Sequence, residues 1–145
     1  MIVSLNEDYL NQLLDVWEAY QRFYKVTEID HSRNRDFVKH ILEHPEQGQI
    51  SLYLKNGRVA GFSTLYYTYA STIADRVAVL NDLFVDPEYR QQGIAGELLE
   101  HAKAAAKDRG VRYLRWLTQT SNDVAKELYK KYAAPSQWLM YAIKV

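Results

Sequence analysis

The sequence predicts an α/β domain with a mixed, mainly antiparallel central sheet and helices on both faces. Three observations lead there. Two strand-like runs flank Asn56-Gly57, a dipeptide that readily takes the positive φ angles of a two-residue hairpin turn. A long run at residues 76–85 is apolar on both faces, as in a strand covered on both sides. The clearest amphipathic helix of the chain follows it, and a further strand follows that helix, which implies a parallel crossover. With 145 residues and no repeat, linker or low-complexity tract, residues 1–145 read as one domain.

Residues 2–5 form a short apolar edge strand. Asn6 or Asp8 can cap the next helix, where Leu10, Leu13, Leu14, Trp17 and Tyr20 recur at helical spacing. A weaker helix is expected over 32–43, with Phe37, Val38, Ile41 and Leu42 inward, before Pro45 and Gly48 break the chain. Residues 50–55 and 58–69 are the hairpin strands. The strand 76–85 should carry Val77, Val79, Asn81, Leu83 and Val85 on one face and Ala78, Leu80, Asp82 and Phe84 on the other. Ile94, Ala95, Leu98, Leu99, Ala102, Ala105 and Ala106 then line the inner face of a helix that Gly110 stops. Residues 111–118 return as a strand. Asn122 caps a last helix with Val124, Ala125, Leu128, Tyr129 and Tyr132 inward, and residues 138–145 are expected as a terminal strand.

Composition narrows the function. Nearly half the residues are hydrophobic, a quarter are charged, and lysine plus arginine balance aspartate plus glutamate. Such a chain presents no global field to nucleic acid or an anionic membrane, so neither is an expected partner. It has no cysteine, which removes disulfides, thiolate metal sites and a cysteine nucleophile. His31, His40, His44 and His101 show no ligand spacing, so no metal is expected. The first residues lack the pattern of a signal peptide, and no apolar run approaches the roughly 20 residues of a membrane span. Cytoplasm is the expected location. Twelve tyrosines suit a lined pocket or an interface. Tyr66-Tyr67, Tyr69, and Trp138 with Tyr141 suit either a dimer interface or a capped core.

The informative stretch is Leu83-Phe84-Val85-Asp86-Pro87-Glu88-Tyr89-Arg90-Gln91-Gln92-Gly93-Ile94-Ala95-Gly96. It reads as strand, turn and helix start, with small residues where the helix begins. A helix N-terminus offers unpaired N–H groups and partial positive charge, a natural seat for phosphate. The same small residues also serve a helix that merely packs closely on a sheet. Neither a Walker loop nor the dinucleotide Gly-x-Gly-x-x-Gly is present.

Arg90-Gln91-Gln92-Gly93-Ile94-Ala95 resembles the Arg/Gln-x-x-Gly-x-Gly/Ala signature of the GNAT superfamily of N-acetyltransferases. Asp82 to Tyr89, Trp116-Leu117-Thr118 and Asn122-x-x-Ala125-x-x-Leu128-Tyr129 are similar to that superfamily in register. The resemblance implies acetyl-CoA as donor and attack by a primary amine in a ternary complex. It implies that the amides of Gln91, Gln92, Gly93, Ile94, Ala95 and Gly96 cradle the pyrophosphate. It implies that Leu83, Phe84 and Val85 pair with the pantetheine arm and that Asn122 bonds the coenzyme. Arg90 either meets phosphate or braces the loop. Tyr129 matches the family's general acid, which protonates the departing thiolate, although a tyrosine at helical spacing is also an ordinary core residue. Polyamine enzymes of the superfamily carry a glutamate where this chain has Asn81, which cannot take a proton. Asp82 is then a candidate base or acceptor contact, or it only holds a loop. The run Trp17-x-x-Tyr20-x-x-Phe23-Tyr24 resembles the branch with histone, polyamine and D-amino-acid acetyltransferases. There Tyr20, Tyr24, Glu28, Asp30 and Asn81 are acceptor-site candidates, the aromatics being equally plausible as core. A non-catalytic acyl-CoA-binding module is the alternative to an enzyme.

Overall fold

The computed structural model describes residues 1–145. Its sheet has five strands in sequential order: β1 (Ile2–Ser4), β2 (Gly48–Lys55), β3 (Arg58–Ala70), β4 (Asp75–Val85) and β5 (Leu114–Trp116). β1 to β4 are antiparallel neighbours, and β5 runs parallel to β4. The helices are α1 (Leu10–Phe23), α2 (His31–Glu43), α3 (Ile94–Asp108) and α4 (Asp123–Tyr129). The fold class is the expected one.

Local chemistry explains most element ends. Asn56 and Gly57 have φ of 51° and 74°, the left-handed pair that closes a two-residue hairpin. Asp30 caps α2 through Arg33 N–H at 3.0 Å, and Gly110, at φ 72°, ends α3.

α1 and α2 cover one face of the sheet, burying Leu13, Leu14, Trp17, Val38 and Ile41 against Leu52, Phe62 and Phe84. α3 covers the other, with Leu98 on Ala60 and Val85 and with Leu99 and Ala102 on Leu65 and Leu80. Three particulars depart from expectation on these faces. Phe37 lies at the margin of α2, 43 % exposed, resting on Trp17 at 5.9 Å between ring centroids. The inward position goes instead to Asn34, whose amide exchanges reciprocal hydrogen bonds with Gln21 at 2.8 and 2.7 Å. On α4 no residue is fully buried, and Val124 is 87 % exposed.

The faces of β4 also differ from strict alternation. Thr64 pairs with Asp82 but Leu65 pairs with Leu80, so Asn81 is an extra residue, a β-bulge. A bulge reverses which side chains point to which face beyond it. Leu80 therefore packs under α3 while Phe84 packs under α1, although an unbroken strand would put both on one face.

The last differences lie at the far edge. β5 spans only Leu114–Trp116. Residues 138–145 form no strand, and Trp138, Tyr141 and Ile143 are 86, 88 and 87 % exposed. Elsewhere Tyr66 packs on the α1 face, Tyr67 lies between the Arg76 and Arg109 guanidinium groups, and Tyr69 is exposed.

Gly61 leaves no room for a side chain where β3 meets β4: a Cβ there would sit 2.6 Å from the Phe84 carbonyl oxygen and 3.2 Å from Val85 Cα. Gly61→Ala should cost about 1–3 kcal/mol, the usual range for overpacking. Chemical denaturation measures it, and an unchanged midpoint would show that the strands part freely.

Candidate active site

β4 and β5 stay paired only through residues 78–80, where Trp116 faces Leu80. From Asn81 to Val85 the outer edge of β4 has no strand neighbour, so its outward main-chain groups face a cleft. The cleft measures about 530 Å³. Leu83, Phe84 and Val85 form one wall, the 90–96 loop forms its end, and Asn122, Leu128 and Tyr129 of the α4 region face them.

The loop has the geometry of an anion seat. Gln91 and Gly93 have φ of 60° and 80°, and alternating left-handed residues turn successive N–H groups toward one concavity. The N–H groups of residues 91–96 donate to no protein acceptor; the first bond of the α3 ladder runs from Glu97 N–H to the Gly93 carbonyl at 3.1 Å. Glycine at 93 answers to backbone conformation, since nothing lies within 4 Å of the Cβ position. Gln92 is the exception among the loop's candidates: its side chain turns out to accept from the Lys55 ammonium and does not line the cleft.

Arg90 has both its possible roles sorted by contact. Its Nε donates to the Val85 carbonyl at 3.0 Å. Its guanidinium lies over the rings of Phe23 and Phe84, 5.2 and 5.5 Å from their centroids. The arginine thus braces the loop against β4 and α1 while its charge stays in the cleft wall.

A second, smaller cavity of about 50 Å³ opens beside the first, with Tyr20, Asn81, Asp82, Trp116 and Thr118 on its wall. The two share Tyr24, Leu83, Asn122, Ala125 and Tyr129, so these residues stand where the contents of one cavity meet those of the other. The bulge at Asn81 brings Asp82 to the α1 face, where it is 4 % exposed. Tyr20 O–H donates to Asp82 Oδ1 at 2.5 Å, and Asn81 Nδ2 approaches both carboxylate oxygens at 3.2 Å. Burial, and next the adjacent Asp82 charge, push the Tyr20 hydroxyl far above the ordinary tyrosine range; Tyr66 is raised for the same two reasons. The hydroxyl of Thr64, directly across from Asp82, is buried without a partner.

On α4, Asn122 Oδ1 accepts from Ala125 N–H at 3.3 Å, which leaves its amide N–H₂ for a ligand. Tyr129 stands edge-on to Trp116, centroids 5.4 Å apart. Burial, with a smaller contribution from Tyr24, pushes its hydroxyl up to about 12. It therefore keeps its proton throughout the neutral and moderately alkaline range.

Not every acceptor-site candidate arrives here. Glu28 is exposed in the α1–α2 connection, and the Asp30 carboxylate is engaged in capping α2; neither lines a cavity. Phe23, Tyr89, Trp116 and Thr118 do line them without having been singled out for a role. All four sit inside the runs noted in the sequence, but periodicity alone does not separate cleft wall from core. No group of three or more His, Cys, Asp or Glu side chains is placed to hold a metal ion.

Known proteins share both the sequence pattern and the shape. Residues 13–133 match the Acetyltransferase (GNAT) family. An uncharacterized N-acetyltransferase of Bacillus subtilis, YhfO, is 33 % identical over 132 residues, covering 90 % of this chain and 87 % of that one. The D-amino-acid N-acetyltransferase HPA3 of Saccharomyces cerevisiae is 26 % identical over 127 residues, 87 % of this chain and 79 % of that one. Bovine thialysine N-epsilon-acetyltransferase is 37 % identical over 76 residues, 52 % of this chain and 44 % of that one. Among solved structures, a probable acetyltransferase superposes with a TM-score of 0.87 at 29 % identity, covering all of this chain and 97 % of the other.

Gly96 offers a clean probe of the loop. A Cβ there would meet only Leu128 and Tyr132 side-chain atoms at 3.8 and 4.0 Å, so Gly96→Glu fits the fold while bringing a carboxylate to the free N–H groups. Acetyl-CoA should raise the melting temperature of the wild type and fail to raise that of the variant. An equal rise in both would remove the loop from coenzyme binding.

Proposed function

The chain belongs to the GNAT acetyltransferase family and is an acyl-CoA-dependent N-acetyltransferase, and from that premise we propose that it acetylates the primary amine of a small amine or amino acid by direct attack in a ternary complex. The observation that carries this reading is the pair of joined cavities: a long cleft ending on free N–H groups, and a small polar one floored by a carboxylate. The binding-module alternative gives way to the enzyme.

The cleft residues fit coenzyme A. Residues 91–96 supply N–H donors for a pyrophosphate. The unpaired edge of β4 at Leu83, Phe84 and Val85 offers main-chain groups to an amide-bearing arm, as a sheet edge receives an added strand. The Asn122 side-chain amide is a further donor beside it. Acetyl-CoA supplies the activated acyl thioester when bound.

The transfer forms a C–N bond as the C–S bond breaks; the acceptor ammonium loses one proton before attack and another as the amide forms, the departing thiolate takes up one, and one is released. Asp82, with Tyr20 bonded to it, is our candidate for the first proton. A cavity of about 50 Å³ admits an ammonium head or one to two waters, and its carboxylate attracts a cation while the aromatic walls exclude bulk solvent. Tyr129, protonated and shared by both cavities, is our candidate proton donor to the departing thiolate. Asn81 and Tyr24 contact the acceptor. That relatives are named for D-amino acids and thialysine supports an amino-acid-like acceptor. No helix is long and apolar enough to cross a membrane.

Release of coenzyme A against a panel of amines, including both amino-acid enantiomers, lysine analogues, polyamines and aminoglycosides, tests the reading; silence across the panel would overturn it. Asp82→Asn should lower kcat by about 10²–10⁴-fold with acetyl-CoA affinity kept, the range for loss of a general base. A loss confined to protein stability would make Asp82 a structural residue only.

Tyr129→Phe should lower kcat by about 10²-fold or more. Because the Tyr129 hydroxyl titrates only near 12, the wild-type and variant profiles should keep the same shape between roughly pH 6 and 10. A fall of only a few-fold would mean that the thiolate takes its proton from water.

A further inference from the structure

The two cavities differ in charge as well as in size. On the wall of the smaller one Asp82 is the single charged side chain, and no lysine or arginine lines it. Arg90, the one cation on the larger cleft, stands outside the smaller cavity and spends its Nε–H on the Val85 carbonyl. Arg22 and Lys25, at the end of α1 and just beyond it, are exposed and line neither. Two neutral donors of the small cavity are already spent: Tyr20 O–H and the Asn81 amide both go to Asp82 itself. Around the carboxylate stand the rings of Tyr20, Tyr24, Trp116 and Tyr129, and aromatic faces carry the negative potential that favours a cation.

We propose that this cavity rejects an amine whose own carbon carries a carboxylate, so that an amino-acid acceptor is acetylated on its side-chain amine and not on its α-amine. The inference rests on the acetyltransferase reading, with the small cavity as the seat of the reacting amine. At about 50 Å³ the space holds an ammonium and the carbon next to it, since a water-sized group takes roughly 30 Å³. In an α-amino acid that carbon bears the carboxylate. It would enter with the amine and meet Asp82 with no cation between them. Like charges at such range inside a protein wall disfavour the bound state by on the order of 10²-fold or more. In a side-chain or terminal amine the neighbouring carbon is a methylene, which suits the apolar wall of Leu80, Leu83 and Trp116. Any carboxylate then stays at the far end of the chain, outside the cavity.

Lysine carries both kinds of amine in one molecule and so tests the selection at equal concentration. Incubated with the full chain and acetyl-CoA, each lysine enantiomer should give the Nε-acetyl product in about 10²-fold excess over the Nα-acetyl one, read by NMR of the mixture. A majority of Nα product from either enantiomer would overturn the proposal. A second comparison separates charge from shape, because sec-butylamine keeps the branching of alanine with an ethyl group in place of the carboxylate. Its kcat/KM should exceed those of D- and L-alanine by about 10²-fold; equal values would show that the cavity does not select by charge. A binding arm needs no turnover. With coenzyme A present, saturation-transfer NMR should show sec-butylamine in contact with the wild type and alanine not. In Asp82→Asn, its fold checked by far-UV circular dichroism, the two should give equal signals. A preference that survives in this variant would remove Asp82 from the selection. Absence of transfer to every amine would refute the acetyltransferase reading instead, with charge selection decided by the binding arm alone.

Discussion

One extra residue in β4 determines where the chemistry can be. Without the bulge at Asn81, Asp82 and Phe84 would stay on the α3 face with Leu80, and Tyr20 of α1 would find no carboxylate to bond. With it, Asp82 faces α1, Phe84 joins the aromatic cluster there, and Leu83 and Val85 turn under α3. The same irregularity adds twist, and immediately after it β5 stops following β4. The departure of β5 exposes the β4 edge, and the edge makes the cleft.

The aromatic run on α1 shows how a helix serves core and cleft at once. Trp17 lies stacked on Phe62, centroids 5.0 Å apart, deep in the hydrophobic core. One turn on, Tyr20 meets Phe62 and Phe84 edge-on and sends its hydroxyl to Asp82. The last turn delivers Tyr24 and Phe23 to the cavities, where Phe23 supports Arg90. The run divides between the two: Trp17 lies in the core, while Tyr20, Phe23 and Tyr24 reach the cavity walls. Burial decreases along the stripe as α1 reaches the rim of the sheet.

Much of this was legible beforehand for identifiable reasons. Asn56-Gly57 permits one kind of turn. The α3 stripe admits one buried face, and the loop before it resembles a superfamily whose signature is written in small residues. The bulge was not legible, because strict alternation through 76–85 is equally apolar on both faces, and an apolar strand gives no sign of a slip in register. Nor was the fate of Asp30, since an aspartate before a helix is as good a cap as an acceptor contact. Residues 138–145 read as a strand because their side chains suit one. Strand propensity is a statement about a partner surface, and in the structure residues 138–145 pair with none.

The site is therefore built from two halves of unequal rigidity. The β4 edge and the loop before α3 rest on buried side chains on both faces of the sheet, including Phe62, Phe84, Ile94 and Leu98, so this half of the proposed site is held in place before any ligand arrives. The other half hangs from three residues of β5 and a two-turn helix with no buried side chain. Its anchorage is the packing of Leu114, Trp116, Tyr129 and Tyr132, themselves only partly buried, against Leu65, Leu80, Leu99 and Ala102, with the Asn122 cap. Local opening free energies follow buried apolar contact, so α4 is the first element of the site expected to move. A proton donor on such an element acts efficiently only when something holds it at hydrogen-bond distance. In this chain a ligand filling the cleft that Asn122, Leu128 and Tyr129 line is placed to supply that restraint.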